Sequence, residues 1–254
     1  MKRIICIILS VMICAVTRMP VTAYAKSYSL SGTDMTISLD DSYWYVFTRD
    51  NIANNAEMES LGLTYEQMHN ILYNNSAYMN AILYYENGDF TELLIRKKAL
   101  DSDIVNLSTY PNDEIMELGK ELSKKHDNSG YYIHESRNGY KFVRLEYYDT
   151  TYGLYLCEYV TIVNKDNYTL TFQSNSPYIS EEYSEMDTIV DSIHFDVDTS
   201  LKEKGDDAFF DTVFGKALGG AVIGGLAGGA VALVGKKAKK KKAASSASPA
   251  EPWQ

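Results

Sequence analysis

The chain has 254 residues, of which 34 are Asp or Glu and 24 are Lys or Arg. Residues 26–214 hold 33 acidic and 14 basic residues, a net charge of −19, whereas the whole chain stands at −10. Both ends are therefore basic, and the acidic region between them is long enough to bury a core. Cys6 and Cys14 lie within the first 25 residues. The acidic region thus keeps one cysteine, which excludes a scaffold held by internal disulfides.

The first 25 residues are typical of a secretory signal peptide. Two basic residues precede an apolar run over residues 4–16, and Ala23-Tyr24-Ala25 has the small-x-small pattern of a cleavage site. We predict a signal peptide over residues 1–25 with cleavage after Ala25.

Two alternatives remain for this N-terminal segment. A lipoprotein would be acylated at Cys14, but Ile13 stands where a small residue is expected. An uncleaved signal anchor would need a longer apolar run than the one that Arg18 and Pro20 interrupt.

The first part of the acidic region predicts strands followed by a short helix. Residues 27–39 alternate as a strand pair around Gly32, and residues 43–47 form a third apolar stretch. The polar residues 51–62 indicate a loop or a short helix. Thr64 and Gln67 have the spacing of a capping box, which predicts a helix that ends near residues 74–75.

Two further strands and a helix come next along the chain. The strands cover residues 78–85 and 91–99, with a turn at Gly88 between them. We predict that Asn112 caps the following helix. Its apolar face consists of Ile115, Leu118 and Leu122.

Four strand candidates then follow in close succession, and a helix ends the region. The strands cover residues 131–135, 140–148, 152–163 and 168–173, with turns at 138–139, around Gly153 and at 164–167. Such short connections predict an antiparallel meander. The last helix covers residues 180–192. Strands in runs, with helices in the middle and at the end, predict an α+β fold in which helices pack on an antiparallel sheet meander.

This order of elements resembles the PsbP-like (Mog-like) fold family. The resemblance covers roughly residues 28–197 and depends on the early strand pair, the aromatic stretch around Trp44, the tyrosine-rich meander and the last helix, which reads Tyr183-x-x-Met186-x-x-Ile189-Val190. The chain departs from the family at residues 40–43, because the family often has a proline shortly before the tryptophan. The resemblance implies an extracytoplasmic domain over residues 26–197 with a binding or assembly role, and it implies no common catalytic residues.

A glycine-rich apolar run follows a linker that we place at residues 198–214. Residues 217–235 are uncharged and include seven Val, Ile or Leu, five Ala and seven Gly. A membrane-spanning helix needs about 20 apolar residues, and we predict one transmembrane helix over residues 215–235. Its aliphatic content makes insertion favourable by only about 2–4 kcal/mol.

The spacing of the glycines in this run resembles a glycine zipper. Residues four apart share one face of a helix, and small residues on such a face allow a second helix to approach closely. We therefore predict helix association, within a homo-oligomer or with a membrane partner, through Gly220, Gly224, Gly225, Gly228 and Gly229. The alternatives are a weakly hydrophobic anchor whose glycines face lipid and a flexible linker.

Lysines follow the apolar run, and they predict the orientation of the chain. Basic residues beside a span mark its cytoplasmic side, so we expect residues 236–254 to form a disordered cytoplasmic tail and the acidic domain to lie outside the membrane. Basic residues also bind anionic lipid headgroups. An export signal argues against a nucleic-acid partner. The predicted membrane-surface residues are Lys236, Lys237, Lys239, Lys240, Lys241 and Lys242.

No motif in the sequence predicts a reaction, a metal or a cofactor. The four histidines lack metal-ligand spacing, and each is predicted to lie at the surface or at a helix end. Cys157 falls within an alternating stretch and is predicted to be a buried strand residue. We therefore expect no catalytic, metal or cofactor site and no enzyme.

Tyrosine is abundant, with 21 residues in the chain, several of them in close pairs. Adjacent strand residues face opposite sides of a sheet, so one member of each doublet should lie on the less buried face. Exposed tyrosines favour a recognition surface; alternatively, helices cover the second face and leave only hydroxyls at its rim. The pairs are Tyr43/Tyr45, Tyr84/Tyr85, Tyr131/Tyr132 and Tyr147/Tyr148.

Two functional hypotheses follow from the sequence. The first is a single-pass membrane protein with an extracytoplasmic binding or assembly domain, whose partners are the bilayer, a second transmembrane helix and an envelope protein. The second is a membrane-active or channel-like oligomer built by the glycine-rich helix, with the domain as a cap.

Overall fold

The computed structural model describes residues 25–100, 104–127 and 129–200. Of the three residues of the predicted cleavage site, these ranges include only Ala25. The predicted transmembrane helix, its glycines and the predicted lysine-rich tail lie outside the described residues. Within the described ranges, no helix is both long enough and apolar enough to cross a membrane.

The described chain is an α+β structure with two antiparallel sheets. A three-stranded sheet has the order β1-β2-β10, and a seven-stranded sheet has the order β3-β4-β5-β9-β8-β7-β6. The strands are β1 (Lys26–Ser29), β2 (Met35–Leu39), β3 (Tyr45–Thr48), β4 (Ala77–Tyr84), β5 (Phe90–Ala99), β6 (Gly130–Glu135), β7 (Lys141–Asp149), β8 (Leu154–Val163), β9 (Asp166–Ser174) and β10 (His194–Phe195).

Four α-helices accompany the sheets in the described ranges. They are α1 (Glu57–Ser60), α2 (Tyr65–His69), α3 (Asn112–Ser123) and α4 (Ser180–Asp191). Short 3-10 turns cover Ile52–Asn54 and Leu107–Thr109, and a π-helical turn, Asn70–Asn74, continues α2.

The structure confirms the predicted strand pairs and the meander from β6 to β9, which hairpin turns connect. The last of these turns is tighter than predicted, because Asn164 and Lys165 alone form its corner with positive φ angles of 51° and 65°. Such a two-residue turn matches the twist of the strands that it joins. The sequence missed β10, whose two residues pair with β2.

Helix starts agree with the sequence in two cases and differ in one. The capping box of α2 is present, since the Gln67 amide donates to Thr64 Oγ1 at 3.2 Å and the Thr64 amide to Gln67 Oε1 at 2.8 Å. Asn112 is the first residue of α3 and not its cap, because the extended residue Pro111 precedes it. Ser180 begins α4 as predicted, after the extended residue Ile179.

The large sheet buries both of its faces. Its first face, which includes Phe142, Cys157 and Phe172, packs against α4 and the small sheet in one apolar cluster. Its second face packs against α3 around Leu145 and Leu156. Farther along the same face, a separate cluster beneath α1 and α2 includes Leu94. Alternation along the strands produces these two apolar faces.

A stripe of buried polar side chains divides the two clusters of the second face. Glu92 lies opposite Gln173, and Glu158 lies opposite Thr171. The Asn80 amide donates to Glu92 Oε1 at 2.5 Å, and the Gln173 amide donates to Glu92 Oε2. Thr171 Oγ1 donates to Glu158 Oε1 at 3.1 Å, whereas Glu158 Oε2 has no hydrogen-bond partner.

This stripe predicts that stability depends on pH. Burial raises the pKa of Glu158 to about 7, whereas an unfolded glutamate has a pKa of about 4.3. The folded chain therefore keeps a proton that the unfolded chain releases between these values, and the free energy of unfolding falls as the pH rises through them. For Glu158 alone, the fall in unfolding free energy approaches about 3 kcal/mol near pH 7. Burial also raises the pKa of Glu92, which adds to the fall.

Urea unfolding at pH 5 and pH 8 tests this dependence with Glu158→Gln, which is neutral at both pH values. We expect the variant to lose the part of the fall in unfolding free energy that Glu158 contributes, while Glu92 keeps its own part, and to be the more stable protein at pH 8. Glu181→Gln, at an exposed position of α4, is the control. Equal slopes in the wild type and Glu158→Gln would contradict the assignment.

Candidate functional site

A cleft of about 310 Å³ opens on the first face of the large sheet, beside the start of α4. We call it the tyrosine cleft, because six of its lining residues are tyrosines. The lining residues are Gly130, Tyr132, Glu146, Tyr147, Tyr148, Tyr155, Leu156, Tyr178 and Tyr183.

Strand register brings the sheet residues of the cleft together. Tyr148 lies opposite Tyr155, and their ring centroids are 4.8 Å apart. On the same face, Glu146 lies opposite Gly130 of β6. Tyr132 follows two residues after Gly130, and its ring leans back over that glycine. A Cβ atom at position 130 would lie 3.2 Å from the Tyr132 ring and hydroxyl, so glycine provides the space that the ring occupies.

The segment that leads into α4 forms the remaining wall. The ring centroids of Tyr178 and Tyr183 are 5.6 Å apart, and the Tyr178 hydroxyl donates to the Tyr155 carbonyl at 3.4 Å. Burial first, and the charge of Glu146 second, raise the pKa of Tyr183. The phenol of Tyr183 therefore stays protonated at neutral pH and presents a hydrogen-bond donor beside the carboxylate.

Arg144 links the floor of the cleft to α4. Its Nη2 atom lies 2.5 Å from Glu146 Oε1, and its Nη1 atom lies 3.3 Å from Asp187 Oδ1. The guanidinium also lies 4.5 Å from the centroid of the Tyr183 ring. Tyr159 strengthens this link, since its hydroxyl donates to Asp187 Oδ1 at 2.6 Å. The two carboxylates compensate the charge of an arginine side chain that is only 15% exposed.

His134 also contacts α4, and its position corrects a prediction. It was expected at the surface or at a helix end, yet its side chain is 16% exposed and lies between two carboxylates of α4. Its Nδ1 atom lies 3.3 Å from Asp187, and its Nε2 atom lies 3.0 Å from Asp191. Both contacts are hydrogen bonds only when the ring carries two N–H groups. The histidine thus helps to hold α4 on the sheet.

The other histidines lie apart from one another. His69 stacks on Tyr73 with ring centroids 4.5 Å apart, His126 stacks on Tyr147 at 3.6 Å, and His194 is exposed in β10. Across the described ranges, no group of three or more His, Cys, Asp or Glu residues has the geometry to hold a metal ion.

The prediction for Cys157 is confirmed. It lies fully buried in the middle of β8. Burial raises the pKa of its thiol to about 12, so the thiol stays neutral and is a packing residue.

The tyrosine doublets behave largely as alternation predicts. Tyr43, Tyr132 and Tyr148 are exposed, with 66%, 53% and 46% of their surface accessible. Tyr147, the neighbour of Tyr148, is buried on the opposite face beneath α3. Tyr84 and Tyr85 are the exception, since both are half-buried. Two of the three exposed members line one cleft, which the sequence did not show.

A second groove, of about 360 Å³, lies near the N-terminal strand. Its charged residues include Lys26 and Asp41, which pair with each other at 3.4 Å. Lys26 also lies 5.2 Å from the centroid of the Tyr28 ring. Trp44 lines the groove but is only 4% exposed. Part-exposed Tyr28 is thus its main aromatic surface, whereas six tyrosines line the tyrosine cleft, which is the stronger candidate for a binding site.

Comparison with known proteins finds a likeness among solved structures. No family model and no curated protein matches the chain. Among solved structures, the chain is similar to the solution structure of cyanobacterial PsbP (CyanoP) from Synechocystis sp. PCC 6803, with 13% sequence identity, 70% of this chain and 95% of that chain covered, and a TM-score of 0.39. That structure bears the name of the family that the sequence resembles, but a TM-score of this size supports no argument about function.

The link between the sheet and α4 is open to a direct test by Asp187→Asn. The substitution keeps an acceptor for the Tyr159 hydroxyl and removes the negative charge that faces Arg144 and His134. We expect a loss of about 1–2 kcal/mol in unfolding free energy at pH 7, because Asp187 is 35% exposed and solvent screens part of its interactions. Urea denaturation followed by circular dichroism measures it. Glu181→Gln, on the same helix, should change stability little, and an equal loss in both variants would contradict the assigned role of Asp187.

Proposed function

We propose that this chain is a non-catalytic, extracytoplasmic binding module, anchored in the membrane, which captures or assembles a protein partner of the cell envelope through the tyrosine cleft. The cleft is the observation that supports this proposal. It joins exposed tyrosine rings to a carboxylate on a rigid sheet, and tyrosine supplies a large contact area together with a hydrogen-bonding hydroxyl.

The rigidity of the cleft walls also favours binding. Tyr148 and Tyr155 stand on paired strands, and Tyr183 is held by a helix that is ion-paired to the same sheet. A preformed site loses less conformational entropy when it binds than a mobile loop does. A volume of about 310 Å³ suits one or two side chains of a partner segment, since ligand pockets begin at about 300 Å³.

Site-specific photo-cross-linking of the full-length chain in native membranes tests this function. We expect p-benzoylphenylalanine at position 148 to cross-link a discrete partner. The same group at position 65, where Tyr65 is 52% exposed outside the cleft, should not. Tyr132→Ala should lower the yield about tenfold or more if Tyr132 dominates the contact. Equal adducts from positions 148 and 65, or a yield that Tyr132→Ala leaves unchanged, would count against the cleft.

The membrane anchor and its association form the second half of the proposal. The apolar length of residues 215–235, the flanking lysines and the three overlapping GxxxG spacings support it. The same spacings favour the alternative function, a membrane-active or channel-like oligomer in which the glycine-rich helix acts and the folded domain is a cap.

Cross-linking of wild-type chain in membranes beside Gly220→Ile/Gly224→Ile tests the association. We expect a ladder of self-adducts that the double variant loses, because isoleucine holds the two backbones apart. Liposome leakage separates the two functions. Leakage that only the wild type causes would favour the oligomer, whereas partner capture that persists in the double variant would favour the binding module. A ladder that survives the substitutions would exclude this glycine face as the interface.

A further inference from the structure

The charge of the tyrosine cleft indicates what it accepts. Of the nine residues that line the cleft, Glu146 alone is charged. Its side chain is 23% exposed, so it lies within the cleft wall and not in open solvent. We propose that the cleft accepts a lysine or arginine side chain from an extended segment of the partner protein, with Glu146 as the ion-pairing residue and the tyrosine rings around it. This inference names the ligand class of the proposed binding function and rests on it.

Aromatic faces favour a cation at this position. A guanidinium or ammonium group over a tyrosine ring is attracted by the negative face of the ring. The protein already uses this attraction, because Arg144 lies 4.5 Å from the Tyr183 centroid and 5.8 Å from the Tyr132 centroid. The same two rings border the cleft, where Tyr148 and Tyr155 add two more faces.

Glu146 keeps the capacity to bind a second cation. Arg144 contacts Oε1 at 2.5 Å and the Tyr183 hydroxyl donates a hydrogen bond to the same carboxylate, but an ionised carboxylate offers about four lone-pair sites. Opposite Glu146 in β6 is Gly130, over which the Tyr132 ring lies, so an aromatic ring and no competing charge borders the carboxylate on this side. An incoming basic side chain therefore finds an acceptor that the protein satisfies only in part.

The negative electrostatic field of the described residues also favours a basic ligand. The described residues include 27 Asp or Glu and 12 Lys or Arg. Helix α4, which borders the cleft, carries five acidic residues and no basic one. Such a field increases the association rate of a basic segment and opposes an acidic one. An anionic ligand would find no basic side chain among the lining residues. Arg144, which is not one of them, is already paired with Glu146 and Asp187.

Peptide titration of the full-length protein in detergent tests the ligand class. The probes are fluorescein-labelled peptides with identical glycine and alanine flanks and one central residue: lysine, arginine, norleucine or glutamate. We expect the lysine and arginine peptides to bind about tenfold or more tightly than the norleucine peptide, which matches the aliphatic stem and lacks the charge. The glutamate peptide should bind most weakly. Higher salt should weaken the preference for the basic peptides.

Two variants locate the recognition. Glu146→Gln should abolish the preference for lysine over norleucine, whereas Glu181→Gln, at an exposed position of α4 that does not line the cleft, should keep it. Gly130→Val leaves every charge in place and displaces the Tyr132 ring from its position. It should weaken binding of the basic peptides about tenfold. Circular dichroism of each variant establishes that the fold is retained.

The outcomes separate this inference from the function on which it rests. Equal binding of the lysine and norleucine peptides, lost in Tyr148→Ala, would overturn the inference and leave the cleft as a binding site for apolar segments. A lysine preference that survives Glu146→Gln would also overturn it. If no peptide binds, the inference fails, and the photo-cross-linking at position 148 then decides whether the cleft binds a partner of another kind.

Discussion

The pair of ionic contacts that Arg144 makes is the constraint on which the candidate site depends. One contact runs along β7 to Glu146, and the other runs across to Asp187 of α4. The sheet residue that forms the floor of the cleft and the helix that forms its wall are therefore bound to the same guanidinium. Placing that guanidinium in a largely buried position costs desolvation energy, which two carboxylates and the face of the Tyr183 ring offset.

The two faces of the large sheet differ in how their charged groups are compensated. On the first face, the Arg144 guanidinium is shared by Glu146 and Asp187, so the two carboxylates together exceed its charge next to an open cleft. On the second face, Glu158 lies between apolar clusters, and burial shifts its titration to about pH 7. A buried carboxylate with an unsatisfied oxygen lowers stability once it ionises. The buried carboxylates of the second face therefore make stability depend on pH, while the first face carries the proposed binding cleft.

Local pattern was sufficient to predict most of the strands and the meander, because alternation and hairpin turns act over a few residues. The pairing of β5 with β9 and the short strand β10 depend on contacts between distant parts of the chain, which no local pattern encodes. His134 was misplaced for the same reason. Its environment comes from Asp187 and Asp191, more than fifty positions away in the sequence, and nothing near His134 indicates that a helix will cover it.

The tyrosine doublets show which part of the site the sequence could not predict. Alternation predicts that Tyr132 and Tyr148 emerge on a less buried face, but it treats the exposed Tyr43 in the same way. Strand register distinguishes them, because Tyr148 shares β7 with Glu146 and lies opposite Tyr155, while the pairing of Gly130 with Glu146 lets the Tyr132 ring lie over that glycine. A cation bound there would share Glu146 with Arg144, which also holds α4 through Asp187. Binding at the cleft and packing of the helix would then depend on the same carboxylate, so a bound cation would change the contacts that hold α4 on the sheet.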